Sequence, residues 1–280
     1  MTVPSSASRR SLATSGFASA PAVRRRTRRL VAFVLTLGGW QLTSAALGAD
    51  TLPGVAGCVV AFSRALTTTA FWSAAGDTLL SALAGLAIAT VVAVPIGVAI
   101  GSHRVADRST RLAVDVLRTI PPVTLLPLAL LLYGPTVRMA LVLIVYGAFW
   151  PMLIHSVYAI RDIEPVQKDV AAAFGLSARV RWRTLVLPSV LPMVLVGARI
   201  SATIALLLSV TAELVGGAPG VGAQITSAQV AGRTEQAYVY VLCAALLGIG
   251  MNALMRLTEC RAIPWHSSVR EAAGRERGRT

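Results

Sequence analysis

The chain has 280 residues, of which 55% are hydrophobic and 14% are charged, and its mean hydropathy is +0.69. This apolar content exceeds that of soluble domains and predicts a protein with several membrane spans. A net charge of +14 would also suit a nucleic-acid-binding protein, so the positions of the basic residues have to decide between these classes.

From the N-terminus, residues 1–29 hold seven arginines and no acid, and are predicted to form a disordered basic tail. Residues 30–256 are predicted to be an all-α transmembrane domain, and residues 257–280 a second basic tail. The domain contains six apolar stretches, each near the roughly 20 residues that a helix needs to cross hydrocarbon. They are residues 30–49, 78–100, 119–137, 139–160, 187–212 and 237–255.

Two further stretches are less regular. Residues 51–63 are too short to span a bilayer and are predicted to lie at the interface. Residues 214–232 carry no charge but are rich in glycine, so a helix would be poor there and we expect a loop or a re-entrant turn.

The positions of the basic residues predict the orientation of the six spans in the membrane. With both termini in the cytoplasm, 22 of the 26 lysines and arginines lie on the cytoplasmic side, which is a strong positive-inside pattern. The charge therefore indicates topology and attraction to anionic lipid, and nucleic acid is not expected as a partner. A cleaved signal peptide is the alternative for the first span, but its 20-residue apolar run favours an uncleaved anchor in the cell membrane.

Groups that carry catalysis or bind metals are few and scattered. The three cysteines and three histidines show no metal-type spacing. Lys168 is the single lysine, preceded by Gln167 and followed by Asp169, so a phosphate loop ending in Gly-Lys-Ser/Thr is excluded. No catalytic residue, metal ligand or cofactor is predicted. These residues give no indication of an enzyme.

A charged, small-residue segment, DVAAAFGLSARVRWRTLVLP, lies between the fourth and fifth spans at residues 169–188. As a helix it would place Lys168, Ala171, Ala172 and Gly175 on one nearly bare face, and Gly175 could end that helix. A bare face in the cytosol would let another protein approach closely. A loop helix lying on lipid explains the same pattern equally well.

This segment resembles the cytoplasmic signature of permease subunits of ABC importers: Glu-Ala-Ala, three residues, Gly, nine residues, Ile, one residue, Leu-Pro. Here it reads Asp169-Val170-Ala171, then Gly175, Leu185 and Leu187-Pro188, with every spacing kept. Residues 117–134, 187–200 and 212–222 look like the branch that imports sulfonates, taurine, nitrate or similar small oxyanions. The resemblance covers roughly residues 78–255.

The resemblance implies a transport subunit that is not itself an enzyme. It also implies a separate pair of ATPase subunits that hydrolyse ATP, an extracytoplasmic solute-binding protein and alternating access. It makes the signature helix the coupling helix, with Asp169, Ala171, Ala172 and Gly175 at the ATPase. Independently of the resemblance, a single six-helix unit is small for enclosing a gated path. A second permease copy is therefore expected, forming a homodimer.

Three polar residues in or near the spans are candidates for the translocation path: Arg199, His155 and Glu213. An arginine within a span should face protein, either as part of an anion path or bonded to carbonyls freed near Pro188 and Pro192. Glu213 is expected to brace the glycine-rich segment, and His155 to pack. An integral membrane enzyme or an ATPase-independent transporter is the alternative function, although no polar catalytic cluster is found.

Overall fold

The computed structural model describes residues 22–48 and 51–264, which are helical with no strand. The described residues divide into two compact units, one that ends at Val55 and one that begins at Ala56. Within these described ranges, five helices are long and apolar enough to cross a membrane, or six if one bent pair counts as a single span. This confirms the predicted all-α, polytopic fold.

The first unit contains α1 (Ala22–Leu47) and the segment that follows it. This segment folds back on α1, because the Trp40 indole donates to the Pro53 carbonyl at 3.0 Å and the Ser44 hydroxyl to the Leu52 carbonyl at 2.7 Å. Helix α1 begins inside the segment predicted to be a disordered tail. Residues 1–21 lie outside the described residues, so the predicted domain division remains a prediction.

The second unit begins within α2 (Val55–Ala65), a short apolar helix. The remaining helices are α3 (Thr69–Ser102), α4 (Arg104–Leu117), α5 (Leu126–Tyr133), α6 (Val137–Arg161), α7 (Pro165–Ala173), α8 (Ala178–Arg181), α9 (Leu187–Gly216), α10 (Val221–Val230) and α11 (Thr234–Ala262). A 3₁₀ turn, Pro122–Leu125, precedes α5, and a π-helical turn, Trp182–Val186, joins α8 to α9.

Helix α6 packs closely against both α3 and α9 and forms the centre of the unit. Its approach to α3 depends on a stripe of small, buried residues four apart on α3: Gly85, Ala89, Ala93 and Gly97. A Cβ atom on Gly85 would lie 2.3 Å from Ile144 Cγ2. Small residues at this spacing let helix backbones pack closely within a membrane.

The third predicted span is not one continuous helix. Its sequence forms the 3₁₀ turn and the eight-residue α5, and the segment from Pro122 to Tyr133 is bent by 74° from α4. Pro121 and Pro122 explain the break, because a proline disfavours helical conformation in the residue before it and lacks an N–H donor.

The segment 214–232 also differs from the expected loop. Helix α9 extends to Gly216, Gly217 ends it in the left-handed conformation, and α10 occupies residues 221–230. Ten residues of helix measure about 15 Å, too little to cross a bilayer. The re-entrant alternative therefore describes this segment better than a loop does.

Candidate functional site

The segment that resembles the coupling signature begins in the second half of α7 and continues through α8 and the π-helical turn to the start of α9. Pro165 occupies the first turn of α7, where a missing N–H is harmless. At its end the Gly175 N–H donates to the Ala172 carbonyl at 3.0 Å and the Leu176 N–H to the Ala171 carbonyl at 3.2 Å. Gly175 has a φ of +61°, so these bonds form a Schellman motif. The predicted role of Gly175 in ending the helix is confirmed.

The four residues named for ATPase coupling do not share one exposed face. Asp169, Ala172 and Gly175 are exposed, whereas Ala171 is buried. Ala171 lies in a groove of about 330 Å³ between α7 and the turn that leads to α9, whose lining includes Thr184 and Leu185. The Ala171 side chain therefore packs inside the protein and is not part of the exposed surface of α7.

An apolar stripe on α7 was missed by the sequence analysis. Val166, Val170 and Phe174 follow one another at four-residue intervals and are all exposed, with Phe174 78% exposed. This i, i+4, i+8 spacing on a short helix between spans was the signal available in the sequence. An exposed phenylalanine flanked by valines has the shape and polarity of an anchor for a groove on another protein.

Glu213 lies in a buried polar cluster. It is 1% exposed, and its carboxylate accepts hydrogen bonds from the Thr78 hydroxyl at 2.8 Å, the Ser209 hydroxyl at 2.9 Å and the Gly222 N–H at 2.9 Å. Because Gly222 is in the first turn of α10, the carboxylate also meets the positive end of that helix dipole. These contacts join α3, α9 and α10 and match the expectation that Glu213 braces the glycine-rich segment.

Gly220 makes this cluster possible. Its φ of +151° favours glycine, and a Cβ atom there would lie 2.2 Å from the Glu213 carboxyl carbon. The chain can therefore turn from α9 into α10 directly over the carboxylate.

Arg199 joins α9 to α11. Its Nε and Nη2 atoms donate to Asn252 Oδ1 at 3.2 and 3.0 Å, and Nη1 lies 3.8 Å from Glu259 Oε2. The expectation of bonds to backbone carbonyls near the prolines was wrong. The guanidinium lines a cavity of about 690 Å³ together with Pro188, Pro192 and Glu259.

His155 lies on α6 with its ring against Gly197 of α9, where a Cβ atom would be 2.7 Å from His155 Cβ. It lines a different cavity, of about 570 Å³, between α6 and α9. Arg199, His155 and Glu213 therefore lie in three separate environments. Among the described residues no group of three histidine, cysteine or acidic side chains is placed to hold a metal ion.

Comparison with known proteins defines the class. Residues 93–262, more than half of the chain, match the family described as binding-protein-dependent transport system inner membrane component. The chain belongs to this family of membrane permease subunits of ABC importers. It falls in the branch that contains nitrate and sulfonate permeases.

Individual relatives match over most of their length. The nitrate import permease protein NrtB of Leptolyngbya laminosa is 26% identical over 252 residues, covering 86% of this chain and 89% of that protein. The putative aliphatic sulfonates transport permease protein SsuC of Bacillus subtilis is 26% identical over 239 residues, covering 85% of each.

The fold also matches a solved transporter. A chain in an inward-facing structure of the MetNI methionine ABC transporter superposes with a TM-score of 0.58 at 20% identity, covering 70% of this chain and 95% of that one. This likeness concerns the fold alone.

Proposed function

We propose that this permease forms the translocation path for a small anionic solute, such as a sulfonate, taurine or nitrate, and takes its energy from a separate ATPase pair. The solute class is supported by the nitrate and sulfonate relatives. Binding-protein dependence belongs to the family, so an extracytoplasmic solute-binding protein would deliver the solute. Two copies of the permease would enclose the path, with both termini in the cytoplasm.

The observation that carries the ATPase coupling is the surface of α7. The signature spacing places this helix between two spans, on the side that the positive-inside pattern assigns to the cytoplasm. Its apolar stripe of Val166, Val170 and Phe174 has no cover within the described residues. In the assembled importer, Phe174 would fill a groove of the ATPase, and nucleotide-driven closure of the ATPase pair would pull on α9 through the adjoining π-helical turn.

The test is co-purification of the ATPase from native membranes with Phe174→Ala. Because a buried aromatic anchor typically contributes at least about 2 kcal/mol to an interface, we expect the affinity for the ATPase to fall by tenfold or more. Val230→Ala is the matched control, since Val230 is also exposed but lies on α10. Equal recovery of the ATPase with Phe174→Ala and wild type would overturn the docking role.

Gly175 gives a second test of the same surface. A Cβ atom there meets nothing within 4 Å, but the φ of +61° strains most other residues. Gly175→Asn tolerates this conformation and controls for strain, whereas Gly175→Arg adds a bulky charge to the docking face. We expect Gly175→Arg to uncouple transport while membrane insertion is kept. Normal transport by Gly175→Arg would contradict the proposal.

A further inference from the structure

Two buried polar atoms on α6 have no hydrogen-bond partner in the described part of the chain: Trp150 Nε1 and His155 Nδ1. Both residues line the same cavity, which measures about 570 Å³. The cavity lies between α6, α9 and the 3₁₀ turn that follows Pro121. Two unpartnered atoms at one cavity indicate a site that a ligand completes.

The physical reason is the cost of leaving such groups unpaired. An indole N–H can only donate, and a buried donor without an acceptor destabilises the folded protein. Unsatisfied buried groups in native proteins often mark functional sites for this reason.

The two rings are held by their neighbours. Trp150 meets Tyr146 and Phe149 edge to face, with ring centroids 5.7 and 5.0 Å apart. The Tyr146 hydroxyl donates to the Leu117 carbonyl at 2.7 Å. The His155 ring is confined by the backbone of Gly197. Both rings are therefore supported by packing that does not satisfy their nitrogens.

The lining of the cavity indicates the class of ligand. Arg118, at the end of α4, is the arginine in the wall of the cavity. It also forms a salt bridge, in which its Nη2 atom lies 3.2 Å from Asp115 Oδ1. The rest of the wall is largely apolar and includes Pro122, Val123, Ile154, Ile200, Ile204 and Leu207. A small inorganic anion would leave most of this volume unfilled and would place its charge against hydrocarbon, whereas an apolar body would fill it.

We propose that this cavity binds an organic anion with an apolar body. The anionic head accepts hydrogen bonds from the Trp150 indole and from His155 carrying a proton on Nδ1, and Arg118, whose charge Asp115 partly offsets, contributes the positive charge of the wall. The apolar body lies against α9. This inference rests on the proposed function, because it places a solute site on the translocation path and narrows the solute class.

The test is a direct binding titration that needs no ATPase. The full-length permease in nanodiscs of zwitterionic lipid is titrated with 1-butanesulfonate, nitrate and 1-butanol, and binding is followed by ligand-observed NMR. Trp150→Phe removes the N–H and keeps an aromatic ring, and His155→Leu removes the second polar group. The matched controls are Trp72→Phe and His103→Leu, because both residues are exposed and lie outside the cavity.

We expect wild type and both controls to bind butanesulfonate alike, and more tightly than nitrate or butanol. Trp150→Phe and His155→Leu should each weaken this binding by about tenfold or more, the usual effect of losing a hydrogen bond to a charged group. No butanesulfonate binding by wild type, equal binding by all variants, or equal binding of nitrate would overturn the proposal. If the wild-type permease binds butanesulfonate but no ATPase co-purifies with it, that result would count against the proposed function alone.

Discussion

Arg199 on α9 and Asn252 on α11 are joined by a forked contact, in which two nitrogens of one guanidinium donate to a single amide oxygen at 3.2 and 3.0 Å. The two residues are 53 positions apart in the chain. This contact and the neighbouring Glu259 explain how an arginine is accommodated within a helix long enough to span the membrane, because the charge meets polar partners on another helix.

Removing the amide should therefore destabilise the bundle. We expect Asn252→Leu to lower the free energy of unfolding by about 1 kcal/mol, a modest figure for a bond to a charged group because Arg199 is 39% exposed. Thermal unfolding in one detergent checks this. Thr211→Ala is the control, since its exposed hydroxyl bonds only to the Leu207 carbonyl of its own helix. Equal unfolding temperatures for both variants would contradict the bridging role.

Glu213 should be essential for the position of α10. Glu213→Leu removes the acceptor for the Thr78 and Ser209 hydroxyls and for the Gly222 N–H. We expect this substitution to lower the free energy of unfolding by about 3 kcal/mol or more, because each buried donor left unpaired costs about 1–3 kcal/mol. Glu213→Gln keeps an oxygen acceptor and a similar shape, so its loss should be smaller. Limited proteolysis near Gly220 and thermal unfolding would measure both, and equal damage by the two substitutions would argue against this account.

The packing of α3 on α6 can be tested with two glycines on α3. A methyl group on Gly85 would overlap Ile144, whereas one on Gly76 meets nothing within 4 Å. Gly85→Ala should lower the free energy of unfolding by about 1–3 kcal/mol, because the added methyl group overpacks the contact between α3 and α6. Gly76→Ala should be neutral or slightly stabilising, because alanine has the higher helix propensity. Unfolding temperatures that fall equally in the two variants would rule out the small-residue stripe as the cause.

The three cysteines predict a labelling pattern. Cys260 is exposed near the end of α11, whereas Cys58 and Cys243 are buried. Burial raises the pKa of the Cys58 thiol, and the negative charge of Glu235 raises it further. Less thiolate is then present near neutral pH, so Cys58 should react slowly with maleimide, and faster as the pH rises.

An impermeant maleimide should accordingly label Cys260, and Cys260→Ser should lose the label. With the C-terminus in the cytoplasm, labelling is expected in inside-out vesicles and not in intact cells. Labelling of intact cells at Cys260 would reverse the proposed orientation.

Local sequence was sufficient for much of the architecture. The lengths of the apolar stretches predicted the long helices, because each segment that crosses hydrocarbon must by itself be long and apolar enough to do so. The spacing from Asp169 to Pro188 was enough to indicate the permease family, and Gly175 was correctly expected to end α7. The third span, predicted over residues 119–137, is the exception, because the bend at Pro121 and Pro122 leaves only the short α5 there.

The polar contacts were decided only by the tertiary structure. Glu213 meets Thr78, which lies 135 positions earlier in the chain, and Arg199 meets Asn252. Trp150 and His155 are five residues apart on α6, but their shared cavity also needs α9 and the 3₁₀ turn. Hydropathy and spacing describe one segment at a time. The partner of a buried polar group depends on which helix faces interlock, and that is set by close approach at small residues such as Gly85 and Gly197.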